Sequence, residues 1–364
     1  MDLHLTTEQS LLRDSAAKFI EAAGPKVARG FRAQDPSFAP ARLRRAGELG
    51  WLGILVPSSA NGLGLGLTEL ALVLEQAGRG LVCEPIGLAA ISAAALGLGR
   101  TPHPMLPQVM TGAALVVPAL EERAYGDNPL SPRTQVAGKD ATLRLTGQKT
   151  FVCADGADGF LVSASGRDGP ALCYVARNAP GCTLSTTPTT EGRKLATLSL
   201  ADAPGDLIAA HSSPRNAVDT LYNLALLALS SELLGAMEMA QEITLDYLRI
   251  RKQFGRLIGS FQALQHQAVN MYIRIEATRS LVFQVAASND ADRIDPAMAA
   301  AVKAKVSEEA MVVTKACIQL HGAIGFTDEH DIGLYLKRAM LLSSLCGNAA
   351  AQRRRYVAIA GLAA

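Results

Sequence analysis

Apolar residues in the first hundred positions recur at helical spacing, at Leu11, Leu12, Ala16 and Phe19-Ile20 in one segment and at Leu70, Val73, Leu74 and Ala77 in another. Breaks fall at Gly24-Pro25, at Asp35-Pro36 with a second proline at 40, and at the glycine-rich run Asn61 to Gly66. Between roughly Ala114 and Ile208 the period changes to two-residue alternation and short apolar runs. Candidate strands are Leu115 to Ala119, Gln135 to Val136, Thr142 to Thr146, Thr150 to Cys153, Gly159 to Ser163, Leu172 to Ala176, Thr183 to Thr187 and Ala196 to Leu200. From Ser213-Pro214 the helical period returns, with helices expected near Arg215 to Ile250, Phe261 to Ala287, Asp295 to Leu320, Asp331 to Leu345 and Ala349 to Ala360. The first of these is apolar nearly all round its middle, which marks a helix buried inside a bundle. The pattern predicts an α+β fold: an N-terminal helical domain over 1–113, a middle β-barrel or sandwich over 114–212, and a C-terminal four-helix bundle over 213–364.

Composition narrows the functional classes. A chain of 364 residues with 49% hydrophobic content can bury a large core. A net charge of +2 gives no global pull toward nucleic acid or anionic membrane, so any basic site is local. The six cysteines, at 83, 153, 173, 182, 317 and 346, show no CxxC pair and no zinc-ligand spacing to histidine, so no metal site is expected and reduced thiols in the cytoplasm are the default. The N-terminus lacks the basic and apolar regions of a secretory signal. The most apolar segments, Leu88 to Leu98 and Leu221 to Met239, read as core helices: the first is too short to span a bilayer, and the second carries Glu232 and Glu238, so no membrane insertion is expected. The glycine run at 61–66 follows no strand and lacks a P-loop lysine, which makes it a loop.

The densest local chemistry lies at Tyr247 to Gln262. Arg251 stands one helical turn after Tyr247, and Phe254-Gly255 then stops the helix with an apolar plug and a residue free to take positive φ. Such an arginine can pair bidentately with phosphate; equally, it can neutralise the last carbonyls of its helix. The spacing of Arg251, Phe254-Gly255, Ile258 and Phe261-Gln262, together with Gln319-Leu320-His321-Gly322-Ala323, resembles the flavin-binding signature of the acyl-CoA dehydrogenase family. Gly50-Trp51 and Gly62 to Gly66 resemble that family's N-terminal landmarks, so the likeness spans almost the whole chain. It implies the family's α, β, α fold, FAD as cofactor, an acyl-CoA thioester as substrate, electron-transfer flavoprotein as partner, and homologous subunits that share the dinucleotide. By the same resemblance Arg251, Phe254, Gln262 and the segment Gln319 to Ala323 meet the FAD of a neighbouring subunit. Phe151 and Cys153 stand where the family places an aromatic ring and a threonine beside the flavin, while the segment from Leu120 to Asp127 lacks the family's small hydroxyl donors.

The family's chemistry needs a carboxylate to remove the α-proton of the thioester. Counted from Gly322 to Thr327, the usual glutamate position is Cys346; counted back from Arg251, the position used by a minority of members is Ala225. Neither holds a carboxylate. A thiol at 346 in an apolar pocket stays protonated and reads as a structural cysteine. Two weaker candidates are Glu232, two turns beyond Ala225, and Glu329, beside His330. These vacancies predict a hetero-oligomer in which a partner chain supplies the glutamate. The alternatives are an active homo-oligomer with a non-standard base, and a non-catalytic flavin-binding or scaffold subunit.

Overall fold

The computed structural model describes residues 5–32, 34–99, 101–122, 128–138, 143–167, 169–210, 217–289 and 294–361. The segment 123–127, the first residue of the strand expected at 142–146, the turn residue Asp168 and the expected helix start at Arg215 lie outside them. The chain opens with helices α1 (Thr7–Ile20), α2 (Pro25–Phe31), α3 (Pro40–Glu48), α4 (Leu67–Arg79), α5 (Ile86–Leu96) and α6 (Leu106–Met110). Their starts follow local chemistry. Thr6 accepts the Gln9 N–H while the Gln9 side chain returns to the Thr6 N–H, a capping box, and Pro25 and Pro40 begin helices where a missing N–H costs nothing. Helix α1 lies at the surface: Ala16 is buried but Leu11 is 65% exposed.

A mixed sheet follows, with β1 (Val116–Ala119), β2 (Gln135–Ala137), β3 (Arg144–Val152), β4 (Gly159–Gly166), β5 (Gly169–Ala176), β6 (Cys182–Pro188), β7 (Lys194–Pro204) and β8 (Asp206–Ala210). The strand order is β6-β7-β3-β2-β4-β5-β8, and β1 pairs in parallel with β4. Two expectations change here. The strands predicted at 142–146 and 150–153 are one strand, β3, whose register against β7 shifts around Gly147. At φ +151° and with Thr134 where a Cβ would need to be, that position admits only glycine without movement. Strand β8, which the alternation did not mark, pairs with β5.

The remainder is helical apart from one hairpin: α7 (Ala217–Ile250), β9 (Lys252–Gln253), β10 (Arg256–Leu257), α8 (Gln262–Ala287), α9 (Pro296–His321), α10 (Ile332–Ser344) and α11 (Ala349–Ile359). Helix α7 is long and apolar enough to cross a membrane, but 94% of its most apolar window is buried in the protein. It packs against α4, α5, α8, α9 and α10 and is the axis of the molecule. Reciprocal glycines bring α4 and α7 into backbone contact. A Cβ on Gly78 would meet the Glu232 carbonyl at 1.9 Å, and one on Gly235 would meet the Glu75 carbonyl at 1.8 Å. The small residues of α7 at this level therefore serve close helix approach.

A buried ion quartet ties the three parts together. Arg338 of α10, fully buried, bonds Glu191 from the β6–β7 turn at 2.5 Å and Glu232 of α7 at 2.6 Å, and also reaches the Leu81 and Val82 carbonyls. Arg193 binds the same Glu232 oxygen at 3.0 Å. Burial alone would push the Glu191 carboxyl up, but the two guanidiniums hold it at about 2.

Candidate functional site

Helix α7 ends at Ile250, the bound read from the sequence, so Phe254-Gly255 lies beyond the helix and is not its stop. Residues 252–257 instead fold back as the β9–β10 hairpin, and Phe254 and Gly255, at φ 52° and 76°, form its two-residue turn. Positive φ at both central positions is the geometry that matches strand twist in a tight hairpin. The hairpin stands out from the protein: Arg251 is exposed at its base, Phe254 is 90% exposed at its tip, and Gln262 is exposed at the first turn of α8. The Arg256 guanidinium covers the Phe261 ring at 4.0 Å, and Phe254 meets the same ring edge-on at 6.1 Å.

The end of α9 lies alongside. Tyr247 stacks on His321 at 4.5 Å, which brings the Gln319 to Ala323 segment beside the base of the hairpin. Gln319, Gly322 and Ala323 are exposed, Leu320 and His321 buried. Gly322 takes φ +67° with open space where a Cβ would point, so backbone can approach a ligand closely there. Among the described residues, the side chains of Arg251, Gln262 and Gln319 have no hydrogen-bond partner, leaving a guanidinium and two amides facing solvent from one end of the bundle. His321 bonds the Cys317 carbonyl through Nδ1 at 2.8 Å, leaves Nε2 buried with no partner among the described residues, and is lowered in pKa by its burial.

The other expected site residues converge elsewhere. Ala225 of α7, Cys346 in the α10–α11 loop, and Phe151 and Cys153 at the end of β3 all line one small chamber of about 40 Å³ between the sheet and the bundle. Leu88, Leu229 and Leu345 complete an apolar wall. Burial raises both thiols, Cys153 to about 12 and Cys346 well above the ordinary range, the latter helped by the neighbouring charge of Glu121. Along α7, Ala225 and Tyr247 are about 33 Å apart at 1.5 Å per residue. The two groups of site residues are therefore at opposite ends of one helix.

Glu121, just beyond β1, enters this chamber from the sheet side. Its Oε1 accepts the Cys346 N–H at 2.8 Å, and its backbone carbonyl accepts the Thr150 N–H at 2.8 Å. The loop it holds is fixed from behind as well. Tyr222 Oη and Gln352 Nε2 donate to the Cys346 carbonyl at 2.8 and 2.5 Å. The buried ammonium of Lys303 donates to the Leu342 and Ser343 carbonyls at the end of α10, and burial brings its pKa down to about 8.

A second cavity, of about 450 Å³, adjoins the chamber and shares Leu120, Glu121 and Cys346 with it. Arg355 of α11 crosses its wall, stacked on Tyr222 at 4.7 Å and bonded to Asp219 and Asn223. Two buried polar atoms of this wall, Gln352 Oε1 and Arg355 Nη1, have no partner among the described residues. An acceptor and a donor left open beside a cavity of this size suit a ligand with polar groups of both kinds.

The two weaker carboxylate candidates are apart from these features. Glu232 is bound by two guanidiniums in the ion quartet, and Glu329 is exposed in the loop before α10. Sequence reasoning did not single out Glu121 as a site residue. Its signal was present, as a glutamate in a segment where hydroxyl donors were expected. What brings it to the chamber is a contact with Cys346, 225 positions along the chain.

One further signal unites the two groups. Of the six non-glycine residues with positive φ among the described residues, three are Phe151, Phe254 and Cys346. Such conformations cost energy and persist where surrounding structure enforces them.

Residues 217–360 match the family described as acyl-CoA dehydrogenase, C-terminal domain, and residues 6–100 match acyl-CoA dehydrogenase, N-terminal domain. The chain is 27% identical to the acyl-CoA dehydrogenase IpdE2 of Mycolicibacterium smegmatis, over 97% of this chain and 99% of that one. Among solved structures it is similar to the Tcur3481-Tcur3483 steroid ACAD G363A variant, at 30% identity and a TM-score of 0.91 over 98% of each chain. It is also similar to the ChsE4-ChsE5 complex from Mycobacterium tuberculosis, at 26% identity and a TM-score of 0.88 over 100% of each. Two solved structures that share this fold, at 19% and 20% identity, are described as complexes with FADH2 and with FAD.

Proposed function

The chain belongs to the acyl-CoA dehydrogenase family of FAD-binding oxidoreductases, and from that premise we propose that it acts as one subunit of a hetero-oligomer dehydrogenating an acyl-CoA thioester at its α,β bond, with the catalytic glutamate supplied by a partner chain. The observation that carries this reading is the pair of vacancies. Ala225 and Cys346, where the family keeps its carboxylate, face one apolar chamber, and burial keeps the Cys346 thiol protonated. A protonated thiol cannot take the α-proton.

The residues present fit parts of a flavin dinucleotide. Arg251 offers a guanidinium to phosphate, Gln262 and Gln319 offer amides, and Gly322 allows backbone contact. The open Gln352 and Arg355 atoms of the larger cavity suit further polar groups. Bound FAD would supply the hydride acceptor, while the protein orients it and excludes water. Because Arg251 and Ala225 lie at opposite ends of α7, one dinucleotide held by Arg251 would have its reacting end in a neighbouring subunit. The similarity to the ChsE4-ChsE5 complex, a complex by name, supports assembly with a different chain.

This reading also places the protein in the cytoplasm, in keeping with its six free cysteines, and passes its electrons to an electron-transfer flavoprotein. A base role for Glu232 finds less support, because Arg193 and Arg338 occupy its carboxylate. The test is co-expression with a homologous chain that retains the glutamate. The complex should oxidise acyl-CoA at least about 10²-fold faster than this chain alone, the low end of what a positioned base contributes. Comparable rates would overturn the proposal.

A further inference from the structure

A cleft of about 680 Å³ opens between α1, α4, α7 and α8, and none of its lining residues borders the chamber or the cavity beside the Cys346 loop. Glu238, in its wall, lies about 20 Å along α7 from Ala225 at 1.5 Å per residue, so the cleft is separate from the base positions. Its charged lining is a single network. Arg79 of α4 bonds both oxygens of Glu242 at 2.8 Å and reaches Glu238 at 3.3 Å. Arg279 of α8 bonds Glu75 at 2.5 Å, meets Glu238, and stands 3.5 Å from Glu276. Arg13, also in the lining, is paired with Asp14.

Four carboxylates thus share two guanidiniums, an excess of two negative charges in the network among the described residues. A carboxylate accepts up to about four hydrogen bonds and a guanidinium offers about five donors, so acceptors remain unfilled. Glu75 and Glu238 are buried, where charge is least screened, and a concave wall with a surplus of one sign concentrates counter-ions. An independent feature points into the same space. Gln76, next to Glu75 on α4, lines the cleft with only 8% of its surface exposed, and its side-chain amide has no hydrogen-bond partner among the described residues. A buried amide left open toward a cavity calls for a polar group to fill it. Leu5, Leu72 and Phe283 add apolar surface to the same lining.

We propose that this cleft binds a linear polyamine. Its ammonium groups meet the surplus carboxylates and the Gln76 amide oxygen, its methylene links lie on Leu72 and Phe283, and the volume is that of a small-molecule site. Bound there, the cation bridges the N-terminal helices and the bundle beside the close approach of α4 and α7.

Isothermal titration calorimetry of the purified chain with spermidine, at constant ionic strength, tests this. The wild type should show one saturable site per chain. Glu242 and Glu276 reach solvent, so the double variant Glu242→Gln with Glu276→Gln keeps the fold. It should bind at least about ten-fold more weakly, the worth of hydrogen bonds to charged groups, and so should Gln76→Leu. Glu48→Gln, which removes an exposed carboxylate on α3, should bind as the wild type does. Absence of saturable binding by the wild type, or equal affinity in the wild type and either cleft variant, would overturn the proposal. So would equal affinity for butylamine, whose single ammonium cannot span two carboxylates.

Discussion

The hairpin end of α7 and the chamber end are built on opposite plans. At the hairpin end, Arg251, Phe254, Gln262 and Gln319 stand exposed, and the polar side chains have no partner among the described residues. At the chamber end, Glu121, Tyr222, Gln352 and Lys303 lock the Cys346 loop from several sides around very little space. An exposed, unpaired guanidinium on a turn is surface offered to something outside the chain. A small apolar chamber holds Ala225 and a protonated Cys346 thiol at the two positions where the family's carboxylate was expected. The difference teaches that family membership assigns a set of positions, while the local hydrogen bonding decides which of them this chain still uses.

The comparison can be broken most forcefully at the buried quartet that joins sheet to bundle. Arg338→Met should destabilise the fold by about 3–5 kcal/mol, because Glu191 and Glu232 would be left buried without their shared guanidinium. Urea unfolding measures this, and a loss under about 1 kcal/mol would mean the quartet does not hold the chamber side together. Next in size, Gly235→Ala should cost at least about 1–3 kcal/mol by forcing α7 off α4.

At the hairpin end the same measurements should show almost nothing. Arg251→Ala should leave stability within about 0.5 kcal/mol yet lower FAD retention of the complex by roughly ten-fold or more, the worth of a charge-assisted pair. Flavin absorbance after gel filtration reads the second effect, and unchanged FAD content would remove Arg251 from the cofactor's contacts. A further effect appears only in acid. Glu191 has a folded value of about 2 against an ordinary 4.5, so its contribution is complete above about 4.5 and is lost as pH falls toward 2. Acid unfolding followed by circular dichroism should therefore steepen below pH 4.5 and do so less in Glu191→Gln, which has lost the titrating group.

Much of the fold was legible because period is a direct record of burial. The long apolar run from Leu221 to Met239 lies in α7, and each later helix begins and ends within a few residues of its expected bounds. Legibility failed where conformation depends on a distant neighbour. The break expected between strands at 142–146 and 150–153 is a bend in a single strand, where Gly147 packs against Thr134. Phe254-Gly255 read as a helix stop, and the turn residues were identified correctly, but a hairpin and a helix end use the same positive φ. At the candidate site, the spacing of Arg251, Gln262 and Gln319 was legible. The place of Glu121 was not, since it comes from a hydrogen bond to a backbone N–H 225 positions away.

The central claim is that this chain brings a cofactor-contacting edge to a complex and no base of its own. Anaerobic mixing of acyl-CoA with flavin-loaded protein, followed by loss of flavin absorbance, tests it most directly. Flavin in the isolated chain should stay oxidised, while flavin in the complex with a glutamate-bearing partner should bleach, and the bleaching should vanish when the partner's glutamate is replaced by glutamine. Rapid bleaching of the isolated chain would contradict the account.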